Sequence, residues 1–133
     1  MNYKVTVNNY KDDKYYPKIV NAVNELLGSN DTVTTAKVMQ KIGVLSIENY
    51  HKWEKGKVPY LEKVITCNLS KANRILRIIG FHAHDLNMAK RIKFLKYKKK
   101  TLRFTKSGYK KGEELYAREY VVVAKRAVKQ IKS

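Results

Sequence analysis

The stretch Thr34-Thr35-Ala36-Lys37-Val38-Met39-Gln40-Lys41-Ile42-Gly43-Val44-Leu45-Ser46-Ile47-Glu48-Asn49-Tyr50-His51-Lys52-Trp53-Glu54-Lys55-Gly56 decides the fold. Val38, Met39 and Ile42 fall on one face of a helix, Thr34 suits its N-cap, and Gly43 suits a left-handed stop. Ser46 suits the cap of a second helix, with Ile47, Tyr50 and Trp53 on one side and Gly56 at its end. The stretch therefore predicts two short helices, 34–42 and 46–55, joined by Gly43-Val44-Leu45. Trp53 is in phase with Ile47 and Tyr50, which marks it as a core anchor.

Working outward, Pro17 opens a helix bearing Ile19, Val20, Val23, Leu26 and Leu27, and Gly28 stops it. Before it, Tyr3, Val5 and Val7 alternate with polar residues, as in a short strand or extended arm. On the C-terminal side, Pro59 begins a fourth helix with Leu61, Val64 and Ile65 inward. Ser70 caps a fifth, which carries Ala72, Ile75, Leu76, Ile78 and Ile79 and ends at Gly80. A short helical turn follows at Asp85-Leu86.

The pattern then changes. Ile92–Tyr97 and Thr101–Lys106 are rich in aromatic and β-branched residues and flank Lys98-Lys99-Lys100, which reads as a β-hairpin with a basic tip. Phe94, Leu102 and Phe104 are assigned to its core side, while Tyr97 and Tyr109 suit either packing or stacking on bases. Glu113 to Ile131 reads as a final helix with Leu115, Tyr116, Tyr120, Val123, Ala127 and Ile131 on one side. Its acidic first turn and basic last turns match the helix dipole, and its run Tyr120–Val123 is β-prone. The expected fold is mainly α with a small β-hairpin. An arm (1–16) precedes a helical domain (17–88), and a basic hairpin plus C-terminal helix (89–133) packs on the same domain. The apolar side of that last helix closes the core of its own chain or pairs with a symmetry mate in a homodimer.

Charge narrows the function. The 133 residues carry 29 Lys+Arg against 11 Asp+Glu, a net charge of +18. Residues 1–85 contribute only +5, residues 86–112 contribute +11 with no acidic residue, and residues 113–133 contribute +2. Such a charge repels itself unless a polyanion offsets it, so nucleic acid is the leading partner class. The basic block interleaves its lysines with Ile92, Phe94, Leu95, Tyr97, Leu102, Phe104 and Tyr109, a composition that folds rather than trailing as a solvated arm. No apolar run reaches the ~18–20 residues of a membrane-spanning helix. The N-terminus has no apolar leader segment, so a cytoplasmic, nucleoid-associated location is expected. The single cysteine, Cys67, makes neither an internal disulfide nor a cysteine-based zinc site, and suits a small buried apolar position.

The segment Val38-Met39-Gln40-Lys41-Ile42-Gly43-Val44, with Trp53-Glu54-Lys55-Gly56-Lys57 and Pro59, resembles the phage-repressor-type (Cro/C1, XRE-like) helix-turn-helix. Leu76 to Leu86 is similar to the end of that domain, and the resemblance spans roughly residues 17–88. It differs from the family in a Gly43-to-Trp53 interval one residue longer and in extra residues at 66–73. Thr34 and Thr35 stand where the family has a phosphate-clamping glutamine, and are expected to meet phosphates. Pro59-Tyr60-Leu61-Glu62-Lys63-Val64, Asn68-Leu69-Ser70-Lys71 and Leu102-Arg103-Phe104 also resemble a set of small uncharacterised bacterial proteins, which implies a bacterial or mobile-element source.

With 46–55 as recognition helix, Glu48, Asn49 and Lys52 are its outward N-terminal residues and the expected base contacts. Asn pairs with adenine, Lys reaches guanine O6/N7, and Glu accepts from cytosine N4. Lys55 and Lys57 are expected on phosphates. So are Lys93, Lys96, Lys98, Lys99, Lys100, Arg103 and Lys106 of the hairpin, because lysine is a point charge better suited to phosphate than to base edges. The expected function is non-enzymatic binding of duplex DNA, extending to transcriptional regulation. The alternative is an RNA-binding or ribonucleoprotein-associated factor, including a mobile-element inhibitor that occupies a nucleic-acid channel. His82-Ala83-His84-Asp85 has ligand types but a helical pattern and no third ligand at a telling spacing. No cofactor, metal or catalytic constellation is expected, and a metal-assisted nuclease is the enzyme reading to test.

Overall fold

The computed structural model describes residues 4–123. Val5 is buried, and of the expected short strand or extended arm the described residues 4–9 form no strand, turning instead into a short 3-10 helix at Tyr10–Asp12; Tyr3 lies outside the described residues. Buried Asp13 receives Nε and Nη2 of Arg74 at 2.9–3.0 Å and the backbone N–H of Tyr15 at 2.9 Å. This tie fixes the N-terminal segment across the bundle.

Helix α1 (Tyr16–Gly28) buries Ile19, Ala22, Val23 and Leu26. Strand β1 (Val33–Thr34) leads directly into α2 (Thr35–Lys41), which buries Val38 and Met39. Thr34 Oγ1 accepts the Lys37 N–H at 3.1 Å, the cap expected from sequence. Gly43 adopts φ +88°, and Ser46 Oγ accepts the Asn49 N–H at 3.0 Å to start α3 (Ile47–Glu54).

The Pro59 helix is replaced by one 3-10 turn at Leu61–Val64. Leu61 and Glu62 donate to the carbonyls of Arg103 and Phe104 at 3.2 and 2.9 Å, which ties this turn to the basic block. Helix α4 (Leu69–Asp85) is capped by Asn68, not Ser70, and runs through Gly80 without interruption. It therefore absorbs the separate turn expected at Asp85-Leu86. It also places His82 and His84 two residues apart on a helix, with His82 buried and His84 exposed.

The largest departure lies after α4. Strand β2 (Met88–Ile92) pairs antiparallel not with a hairpin partner but with β5 (Arg118–Val122), which also pairs with β1. The three-stranded sheet has the order β1-β5-β2, with β5 central. The expected hairpin shrinks to β3 (Lys96–Tyr97) and β4 (Lys100–Thr101). The expected helix from Glu113 is α5 (Lys110–Tyr116), and Tyr120–Val122 belong to β5. Residues 124–131 of that expectation lie outside the described residues. Long-range pairing on both sides of β5 overrides the weak helical periodicity there. Tyr116 and Tyr120 are buried in the chain's own core, together with Leu102 and Phe104, so residues 89–122 share one core with the helices. Phe94, assigned to the core side, is instead 43% exposed. Among the described residues, no helix is long and apolar enough to cross a membrane.

His82 is buried with both ring nitrogens unpartnered, edge-on to Tyr16. Burial pushes its pKa down, helped by Lys11 and opposed by Asp85. The unfolded chain then takes up a proton near the ordinary value of about 6.5 while the folded chain resists it. Stability is full above that pH and falls as pH drops toward the lower folded value. We predict that the Tm falls between pH 7 and pH 5, and that the fall is smaller in His82→Leu. An equal fall in both proteins would remove His82 as its origin.

Candidate nucleic-acid interface

The orientation of α3 follows from Trp53. Its side chain is fully buried, its indole N–H donates to the Arg103 carbonyl at 2.6 Å, and its ring lies 4.9 Å from that of Phe104. Phe104 in turn stacks on Tyr116, centroids 5.8 Å apart. Tyr50 packs beside Trp53, and burial pushes its hydroxyl pKa up to about 12. With that face occupied, Ile47, Glu48, His51, Lys52 and Lys55 are exposed. Glu48, Lys52 and Lys55 recur at i, i+4 and i+7 and so line one stripe. Glu48 and Lys52 pair at 3.4 Å along it, and Asn49 is half-buried at its edge. The three expected base-contact residues are thus on one short helix.

The basic segment meets the end of α3. Gly56 has φ +72°, and a Cβ there would lie 3.1 Å from the Tyr97 ring. Only the bare glycine lets Tyr97 of β3 lie on this turn, and that contact brings the hairpin up to the Lys55–Lys57 corner. The hairpin turns through Lys98 and Lys99 at φ +49° and +70°, a two-residue turn with both central residues left-handed. Asn or Gly suits such positions, whereas lysine is strained by roughly 1–2 kcal/mol each. The ammonium of Lys98 lies 5.3 Å over the Tyr97 ring.

Acidic groups near this segment are occupied with holding it. The Glu113 carboxylate accepts the N–H groups of Phe104 and Thr105 at 3.0 and 2.7 Å and the Thr105 hydroxyl at 2.5 Å. Glu62 accepts the Lys106 N–H and the Tyr116 hydroxyl, each at 3.0 Å. Burial, then the Glu62 charge and hydrogen bond, hold the Tyr116 pKa well above its ordinary value. By contrast Lys93, Lys96, Lys98, Lys99, Lys100 and Lys106 are exposed and have no ion pair among the described residues.

Two expected phosphate contacts are corrected. Thr35 is 1% exposed, with its hydroxyl donating to the Leu115 carbonyl at 3.4 Å, so it cannot meet a ligand in this fold. Arg103 is exposed, but its Nη2 donates to the carbonyls of Thr105 and Lys106 and so braces the loop rather than standing free. Thr34 is half-buried as the cap of α2. It lines a cleft of about 240 Å³ together with Lys37, Tyr50, Lys93 and Leu95. Lys37 is paired there with Asp31 at 2.5 Å.

Sequence reasoning passed over Lys110 and Lys111, exposed at the start of α5, and placed Phe94 inside; Tyr109, left open between packing and stacking, is exposed. The lysines belong to the same acid-free block, a signal available in the sequence. Compared with protein-family models, curated proteins and solved structures, the chain has no significant match.

Gly56→Ala is expected to destabilise the protein by about 1–2 kcal/mol in urea unfolding, through left-handed strain and the Tyr97 clash. The double substitution Lys98→Asn, Lys99→Gly is expected to raise stability, because both residues accept the turn's dihedrals. A loss of stability in the latter would contradict the turn geometry.

Proposed function

We propose that the chain is a nucleic-acid-binding protein that docks duplex DNA through α2 and α3, used as a helix-turn-helix. In this reading the β3-β4 hairpin lies along the phosphate backbone. The observation that carries the proposal is the group of unpaired lysines from Lys93 to Lys111, joined to the Lys52–Lys57 end of α3 by the Tyr97–Gly56 contact. Glu48 and Lys52 on the exposed stripe, with Asn49 at its edge, supply the groups that read base edges, and the hairpin supplies affinity that is indifferent to sequence. A role in regulating transcription, bacterial origin, nucleoid association and binding as a dimer to a palindrome are extensions of this reading.

A second reading is RNA or single-strand binding. It is favoured by Phe94 and Tyr109, 43% and 51% exposed on a lysine-rich segment, since exposed rings among cations are platforms for unpaired bases.

Affinity for duplex DNA, single-stranded DNA and structured RNA, measured across a range of salt concentrations, separates the two. On the duplex reading, replacing Lys98, Lys99 and Lys100 by Ala flattens the log-log salt slope by about 0.9 per lost phosphate contact and weakens all sequences alike. Asn49→Ala or Lys52→Ala is then expected to cost about 1–3 kcal/mol at one base position only. A strong preference for RNA, with loss of binding in Phe94→Ala and Tyr109→Ala, would overturn the duplex reading in favour of the second. Equal, steeply salt-dependent binding to every polyanion would sink both.

A further inference from the structure

A separate cavity of about 330 Å³ lies between the C-terminal half of α4, strands β2 and β5, and α5. That volume is at the small end of ligand-binding pockets, enough for one short chain or ring. Its walls include the apolar surfaces of Phe81, Met88, Leu115 and Tyr120. Its polar contribution comes from Arg77, Lys90 and Arg118, with His84, and no carboxylate among the described residues lines it.

Two details show how the cavity is made. Gly80 sits in mid-helix, where glycine costs about 1 kcal/mol relative to alanine. A Cβ there would lie 3.2 Å from Arg118 Nη1 and 3.7 Å from the Tyr120 hydroxyl. The missing side chain is what admits the guanidinium to the helix surface. Arg118 Nη1 donates to the Tyr120 hydroxyl at a long 3.5 Å, and its Nε is buried without a hydrogen-bond partner among the described residues. The unpartnered Nε has no accessible surface, so it is not itself the anion's partner; what favours an anion is that Arg77, Lys90 and Arg118 all line the cavity and no carboxylate among the described residues does.

We infer that this cavity binds a small amphipathic anion, an aliphatic or aromatic carboxylate, with its apolar part against Phe81, Met88 and Leu115 and its charge at Arg118. The site is distinct from the α3–hairpin surface and does not depend on what that surface binds. An anion is favoured over a neutral apolar ligand because the charged side chains lining the cavity, Arg77, Lys90 and Arg118, are all cationic. For the same reason a basic peptide segment is a poor occupant.

The test is a titration of the full chain with octanoate, followed by the methyl resonances of Met88 and Leu115. Saturable shifts at these methyls are expected. Octanol, which lacks the charge, and acetate, which lacks the tail, are expected to bind at least about tenfold more weakly. Lys90→Ala, an exposed rim substitution that spares the fold, is expected to weaken octanoate severalfold. Gly80→Leu is expected to abolish the shifts by filling the cavity, with unchanged Trp53 fluorescence as the check that the core is intact. Absence of saturable shifts at millimolar octanoate overturns the assignment. So does binding that is unaffected by Lys90→Ala but lost when Lys98, Lys99 and Lys100 are replaced, which would place the anion on the general basic surface.

Discussion

The hydrogen bond from the Trp53 indole to the Arg103 carbonyl joins the two halves of the molecule. That carbonyl also accepts the Leu61 N–H, and the next one, of Phe104, accepts the Glu62 N–H. Residues 102–105 are thus a seam on which α3, the 3-10 turn after it and the start of the basic block all converge. The donor is fully buried and has no water to turn to, so losing the acceptor leaves an unsatisfied N–H in the core, at a cost of about 1–3 kcal/mol. The seam also sets where charge goes. Once Leu102, Phe104 and Thr105 are inside, the lysines on either side of them can only be outside.

The scarcity of acidic groups makes that arrangement consequential. Glu113 and Glu62 are spent on backbone amides and hydroxyls of the seam, and Glu119 pairs with Arg91. The lysines of the 93–111 segment are therefore not held in ion pairs among the described residues and repel one another. Folding tolerates it because the apolar seam is buried beneath, and because exposed charges are weakened by solvent and salt. A polyanion laid over the surface relieves the repulsion and gains from every phosphate it meets. This is a physical reason for the charge to be concentrated in one patch rather than spread.

The legible parts of the fold were those governed by neighbours in sequence. Thr34 and Ser46 are caps because a short hydroxyl side chain reaches an amide three residues on. Gly43 and Gly56 are at left-handed positions because little else sits there comfortably. Trp53 is core because it shares a face with Tyr50. The illegible parts depended on partners far along the chain. Tyr120 pairs with Val33 on one side and Lys90 on the other, and nothing local to residues 118–122 announces either. Once β5 takes β2, the 92–97 segment has no full-length partner, the hairpin is reduced to its tip, and Phe94 is left outside. The same limit applied to the candidate site. The stripe on α3 was readable from helical spacing, whereas the burial of Thr35 against Leu115 and the bracing role of Arg103 required the tertiary fold.

Two places break a local rule, and each marks a surface. Lys98 and Lys99 occupy left-handed positions where Asn-Gly would be relaxed, so the hairpin tip carries charge at the expense of backbone ease. Gly80 occupies a helix interior where Ala would be more stable, so α4 has a gap that Arg118 enters. In an otherwise consistent sequence, such exceptions are the positions at which stability has been set against something else. At the tip the gain is two ammonium groups projected beyond the fold beside α3. At Gly80 it is a guanidinium held against an apolar cavity. The two lie on different elements, and Arg118 belongs to β5. That strand carries Arg118 into the cavity and, one residue on, pairs Glu119 with Thr34, the cap of α2. The strand that lines the cavity is therefore also the strand that pairs with the cap of α2.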